Sequence, residues 1–191
     1  MIDYKKAILI IKKNKIKISS ETILSINSIN RVSSSNVYSP SNYPAANNSS
    51  FDGYAINSKE TKNLTKKKFE KFKILKTIAA GDNPNIKKVP KYSTIEVMTG
   101  AMIQKPFDTV IPIEQINFVR SKDDTRYIII NKKIKKNEFI RFKGSDYKKG
   151  ELIVKKGQLI EPKHILAMKA LGVKKISVKK KNKYNFLFNW Q

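Results

Sequence analysis

Residues 47–57 read NNSSFDGYAIN, and the change of character inside them sets the fold. A polar run ends in Phe51-Asp52-Gly53-Tyr54, and the chain passes at once into Ala55-Ile56. Upstream, residues 33–50 are rich in Ser, Asn and Pro, the composition of a loop. Downstream, residues 51–130 break into short runs rich in β-branched residues: YAI, FKILKTIA, STIEVMTG, TVIPIEQINFV and RYIIIN. Turn signals such as GDNPN (81–85) and SKDDT (121–125) separate them. Short strands at that spacing predict a small barrel or sandwich. Asp-Gly between apolar flanks predicts a tight hairpin turn, with glycine supplying the positive φ that a type I′ turn demands. Whether the Asp52 carboxylate only punctuates that turn or is presented for chemistry, spacing alone leaves open.

Outside this β-region the rhythm differs. Tyr4, Ala7, Ile8 and Ile11 recur at helical spacing with lysines between them, and Asp3 is placed to cap that helix. ETILSI (21–26) reads as a strand and NSINRV (27–32) as a brief helical piece. Towards the other end, ELIV (151–154), a Lys-Lys-Gly turn and QLI (158–160) predict a hairpin. EPKHILAMKALG (161–172) predicts a helix, with Pro162 in its first turn and Gly172 as its stop. Its apolar stripe is expected to be Ile165, Met168 and Leu171, with Leu166 and Ala170 beside them, and His164 is expected to face solvent. KKISVKK follows as a closing strand, and KYNFLFNWQ reads as the start of another. No internal repeat at solenoid periods is present.

Composition bounds the function. The 191 residues are 40% hydrophobic and 29% charged, a globular balance with room for one or two domains. No apolar run approaches the roughly 20 residues of a membrane span, and the five-residue apolar core at Ala7–Ile11 lacks the cleavage site of a signal peptide. A cytoplasmic protein without a membrane partner is therefore expected. Without cysteine there is no disulfide, thiolate metal site or thiol nucleophile. The net charge of +25 would ordinarily point to nucleic acid. Its lysines are spread over nearly every segment, however, amid abundant Ile and Asn, a bias that an AT-rich genome produces at permissive surface positions. Blocks such as Lys66-Lys67-Lys68 and Lys179-Lys180-Lys181 are short and lack interleaved stacking aromatics, so no nucleic-acid partner is expected.

Three stretches line up with a known pattern: SPSNYPAANNSSFDGYAI (39–56), IEVMTGAMIQKPFDTVIPIEQ (95–115) and IRFKGSDYKKGELIVKKGQLIEPKHILAMKALGVKKISVKK (140–180). In order and spacing the chain resembles the molybdopterin molybdenumtransferase family, which includes the E domain of gephyrin. The family reads Pro-x-x-Asp-Asn-Ser-x-Met-Asp-Gly-Tyr-Ala, then Met-Thr-Gly-Ala with an acidic end, then Arg-x-x-Gly-Glu-Asp leading into a hairpin and helix. The chain departs from it at Asn47, Phe51 and Ser145, where the family has Asp, Met and Glu. The resemblance implies an α+β, mainly β fold: an elongated discontinuous α/β domain from residues 1–40 and 140–180, with an inserted β-barrel-like domain at 41–139. Residues 181–191 would begin a truncated third domain. The family's later Thr-Gly-Asp-Glu-Leu and Gly-Leu-Pro-Gly-Asn-Pro motifs are absent from this sequence. An N-terminal half is thus expected, from a premature stop or a split protein.

The activity that the resemblance implies is insertion of molybdate into adenylated molybdopterin, with release of AMP and assistance from Mg2+. Partners would be a second copy of the chain or a complementing C-terminal half. Carboxylates would orient a hydrated cation and hydroxyls would bond oxyanions. By the same resemblance, Asp52, Thr99 and Asp146 are the catalytic candidates, and Ser49, Gly53, Gly100 and Glu114 are the substrate-binding ones. None is assigned as a metal ligand. Taken singly, each also has a plain structural reading: Thr99 as a local backbone partner, Asp146 as an exposed turn residue, Glu114 as the partner of a nearby lysine, and the glycines as backbone requirements. A dimerising scaffold without chemistry and a basic nucleic-acid binder are the alternatives.

Overall fold

A computed structural model describes residues 2–13 and 18–181, which are mainly β. The elements in chain order begin with α1 (Tyr4–Lys13), β1 (Ser20–Leu24), β2 (Val37–Tyr38), β3 (Asn48–Ser49), β4 (Gly53–Ile56) and β5 (Glu70–Ile78). They continue with β6 (Ser93–Val97), β7 (Thr109–Pro112), β8 (Asn117–Arg120), β9 (Arg126–Ile130) and β10 (Ile140–Arg141). Last come β11 (Leu152–Val154), α2 (Pro162–Ala170) and β12 (Lys175–Lys179). KYNFLFNWQ lies outside the described residues. The chain divides into two compact units, one joining the residues up to Pro40 with those from Gly150 onward, the other running Ser41–Lys149.

In the first unit β1 pairs antiparallel with β12, from Ser20 opposite Lys179 to Leu24 opposite Lys175. The expected hairpin of 151–160 differs. The turn is there, closed by Gln158 N donating to Lys155 O, but its arms pair elsewhere: β11 with β2, and residues 158–160 with 30–33. The helical piece expected at 27–32 is a single 3-10 turn at Ser25–Asn27. Within the Ser/Asn/Pro-rich stretch, β2 and β3 form short pairings that the composition conceals.

Helix α2 starts at Pro162 and stops at Gly172, whose φ of +72° suits glycine, as expected. Its buried face is another matter. His164, Ala167, Met168 and Leu171 are buried at i, i+3, i+4 and i+7, whereas Leu166 is 73% exposed and Ala170 also faces out. The histidine turns inward because its Nδ1 accepts from the Glu161 backbone N–H at 3.0 Å, closing the first turn.

The second unit is built on a six-stranded sheet in the order β7-β4-β6-β5-β9-β8. Only β5 and β6 run parallel within it. TVIPIEQINFV, expected as one strand, is split into β7 and β8 by a 3-10 turn at Ile113–Gln115. The ladder is open, with β7 and β8 at its edges, rather than closed into a barrel. Strand β4 is buried on both faces. Tyr54 and Ile56 enter a cluster with Phe72, Ile74, Ile111 and Ile128, while Ala55 enters another with Ile78, Ile95, Val97 and Val110. Each such fully buried large side chain contributes roughly 1.5–3 kcal/mol, which fixes β4 as a rigid support. Residues 140–149 belong to this unit and not, as expected, to the discontinuous one. Ile140 and Arg141 pair with Ser49 and Asn48, Gly144 N donates to Pro44 O at 2.9 Å, and Tyr147 bridges to Tyr43. The change of unit falls at Gly150.

Candidate functional site

Antiparallel pairing of β4 with β6 sets Gly53 opposite Val97. The residues just beyond each, Asp52 and the Met98-Thr99 turn, therefore emerge at the same end of the sheet. There the Asp52 carboxylate Oδ1 accepts two hydrogen bonds from Thr99, from its backbone N–H at 2.6 Å and from its hydroxyl at 2.8 Å. Both residues are exposed. Two donors on one oxygen favour the ionised form and hold the carboxyl below the usual aspartate range. Among the described residues no hydrogen bond goes to Oδ2. The arrangement is a fixed, charged carboxylate with one oxygen open to a cation or a donor.

The neighbouring candidates build this geometry. Gly53 does not supply the positive φ of an Asp-Gly hairpin turn; it lies within β4, and a Cβ there would stand 2.1 Å from the Ile111 carbonyl oxygen. Close strand approach is what demands glycine at this position. Gly100 does have a left-handed backbone, φ +84°, and its N–H donates to Ser49 O at 2.9 Å. Ser49 is buried, and its hydroxyl donates to Phe51 O at 2.5 Å, so it shapes the turn that carries Asp52. Glu114 lies in the 3-10 turn after β7, exposed and without an ion pair or hydrogen bond among the described residues. Its neighbour Ile113 donates its N–H to Asp52 O at 3.1 Å, which attaches that turn to the site. The lysine pairing expected of Glu114 is not made.

Asp146 shares no hydrogen bond or ion pair with Asp52 or Thr99 among the described residues. It forms an ion pair with Arg141, accepts the Ser145 hydroxyl at 3.0 Å, and is held below the usual aspartate range chiefly by the guanidinium. Arg141 in turn lies over the Tyr43 ring, 5.6 Å from its centroid. Arg141 and Phe139 are additions that sequence reasoning missed. Phe139 packs edge-on against Phe51, with ring centroids 5.2 Å apart, and its carbonyl accepts from Ser50 N at 2.9 Å. The signal for Arg141 was its place in the third motif, IRFKGSD. Asn47 keeps a structural use for its amide: Oδ1 accepts from Lys143 N at 2.9 Å.

This geometry sits in a chain whose relatives are known. A molybdopterin molybdenumtransferase from Staphylococcus aureus strain Mu50 is 29% identical over 177 residues, covering 93% of this chain and 41% of that protein. One from Haemophilus influenzae is 32% identical over 152 residues, covering 77% and 34%. The chain thus spans less than half the length of these curated relatives. A solved structure, the molybdopterin biosynthesis MoeA protein from Pyrococcus horikosii, superposes with a TM-score of 0.83 at 27% identity, covering 94% of this chain and 44% of that one. The family model described as the MoeA N-terminal region, domains I and II, matches residues 2–172, and the chain accordingly belongs to that family.

Proposed function

We propose that the chain acts in molybdenum-cofactor synthesis, contributing Asp52 and Thr99 to the insertion of molybdate into adenylated molybdopterin with release of AMP. The observation that carries this reading is the Asp52 carboxylate, anchored through one oxygen by two Thr99 donors and open at the other. Cleaving a phosphoanhydride is chiefly a matter of positioning and of neutralising phosphate charge. A preorganised carboxylate meets the first need by orienting a hydrated cation. The relatives' names support the substrate class, and the remaining binding groups would come from a second copy or a complementing C-terminal half. On this reading the open six-stranded sheet is the family's inserted β-domain, and the chain works in the cytoplasm.

Among the described residues no three His, Cys, Asp or Glu side chains come together as a metal site. Mg2+ fits this chain as a cation with one protein ligand, Asp52, beside water and phosphate oxygens, the commonest manner of its binding. When bound, the cation would neutralise charge developing on the phosphates. Thr99 would keep the carboxylate ionised and in one orientation.

The test restores the remainder of a longer relative by fusion or in trans and measures molybdenum insertion. Asp52→Asn keeps the local backbone conformations and hydrogen bonds open to it, so folding should survive while turnover falls by about a hundredfold, as for loss of one preorganised electrostatic group. Thr99→Val, which removes one hydrogen bond and no charge, should cost less. Unchanged turnover in Asp52→Asn would reduce this aspartate to a turn residue.

A further inference from the structure

Away from the Asp52 site, at the other end of β4, the second unit holds a concavity of about 520 Å³ lined by Lys59, Lys62, Lys133, Lys135 and Lys136, with Ser58 and Ile134 between them. Four strand residues separate the two ends, roughly 13 Å at the usual rise of a strand. Nothing in the reading of Asp52 uses these lysines. Their spacing is not that of a loose surface run. Lys133, Lys135 and Lys136 belong to the segment NKKIKKN (131–137), whose central Ile134 is 7% exposed and packs into the cluster of Tyr54, Ile56 and Phe72.

Hydrogen bonds hold both walls. Ile134 N donates to the buried Thr61 hydroxyl at 2.9 Å, and that hydroxyl donates to Ser58 O at 2.9 Å. Asn137 N donates to Asp108 O at 2.8 Å, and the Asp108 carboxylate accepts from Ser58 N and from its hydroxyl at 2.8 and 3.0 Å. The lysine-bearing loop and the Ser58 turn are thus tied together, so that lysine side chains from two segments border one space.

No carboxylate lines this space, and none of its lysines forms an ion pair among the described residues. The cavity beside it, of about 330 Å³, makes the contrast: there Lys59, Lys68 and Lys91 are interspersed with Glu60 and Glu70. A lysine-rich composition alone would not distinguish the two. Five cations held around one concavity repel each other unless an anion joins them. One phosphate group carries too little charge to satisfy both walls, whereas a chain of phosphates can touch each. Lysine can serve that ligand as a compact point charge on a flexible stem, able to meet successive phosphates along a chain.

We propose that this cavity is an anion site for a small ligand with several adjacent phosphates, such as an inorganic oligophosphate or the phosphate chain of a nucleotide. The test titrates inorganic tripolyphosphate, orthophosphate and a single-stranded RNA oligomer into the whole chain by calorimetry at about 0.05 M chloride, a salt level at which such contacts are still measurable. Two double variants remove one wall each, Lys59→Gln with Lys62→Gln and Lys133→Gln with Lys135→Gln. A third, Lys66→Gln with Lys67→Gln, removes the same charge elsewhere, and circular dichroism verifies that all three fold. Tripolyphosphate should bind more tightly than orthophosphate and weaken at least about fivefold in each wall variant, with little change in the third. Equal weakening in all three would reduce the binding to diffuse attraction and overturn the proposal. So would orthophosphate binding as well as tripolyphosphate. RNA binding more tightly than tripolyphosphate, and being lost in the same two wall variants, would make this a nucleic-acid surface instead.

Discussion

Asp52 is where the local physics is sharpest. Its carboxyl is depressed below the ordinary aspartate value of 3.8 first by the Thr99 backbone donor and then by the Thr99 hydroxyl. A group depressed in the folded state adds stability above its unfolded value, and that contribution is lost as pH falls through the folded value. Below about pH 4 the 98–100 turn should therefore loosen from Asp52. The amide resonance of Thr99, followed by NMR against pH, should titrate with a midpoint below 3.8, and Asp52→Asn should abolish that step. A midpoint at or above 3.8 would mean that the Thr99 donors do not hold the carboxylate in solution. Spacing alone pointed to a hairpin turn here, and the family resemblance is what raised Asp52 to a site residue. Gly53 shows why spacing misled: its need for glycine comes from the Ile111 carbonyl on a neighbouring strand, a contact across 58 positions of sequence that no local pattern encodes. The pairing of Arg141 with Asp146 was hidden for a similar reason. A separation of five residues is no regular helical or strand neighbour spacing, and only the turn through Gly144 brings the two together.

Among the elements, the connection between the 3-10 turn at Ser58–Thr61 and the 131–137 loop carries most weight for its size. The fully buried Thr61 hydroxyl both accepts from Ile134 N and donates to Ser58 O. Thr61→Val preserves shape but leaves the Ile134 N–H buried without a partner, at a cost of about 1–3 kcal/mol. Denaturant unfolding should register that loss, and amide exchange should rise first at residues 132–136. An unchanged exchange rate there would show that the hydrophobic contact of Ile134 alone fixes the loop. Elements of this kind were partly legible. Short β-branched runs between turn signals led to most strands of the six-stranded sheet because their edges are marked by Gly, Pro, Asn and Asp. Partners were harder to read than strands. The residue pattern of ELIV and QLI fits a hairpin, but the decisive bonds run to residues 30–38, over a hundred positions away. In α2 the apolar pattern favoured a face of Ile165, Met168 and Leu171, with Leu166 and Ala170 beside them. The structure instead buries His164, because a hydrogen bond to the Glu161 N–H makes a polar ring acceptable inside.

At the scale of the whole molecule, charge dominates. Forty basic residues against 15 acidic ones give +25, and the ion pairs observed, such as Arg31 with Glu21 and Arg126 with Glu96, engage only a small part of that excess. No helix among the described residues is long and apolar enough to cross a membrane. Cations over the folded surface repel one another, and unfolding relieves that repulsion by letting them spread. Salt acts on this directly, because the screening length falls from about 30 Å at 0.01 M to about 8 Å at 0.15 M. Screening also weakens the exposed ion pairs, but each is worth at most about 1 kcal/mol, and pairs are few beside uncompensated lysines. The net effect should therefore be stabilising. Raising sodium chloride from about 0.01 M to about 0.15 M should lift the first thermal transition by about 2–4 °C, the shift expected from about 1 kcal/mol in a chain of this size. Chloride is the right anion for this measurement, since a polyvalent anion would also occupy the lysine cavity and raise the midpoint by binding. A midpoint that stays flat or falls would show that the lysines are spaced widely enough to ignore one another. In that case the five lysines that line one concavity would stand out all the more against the rest of the surface.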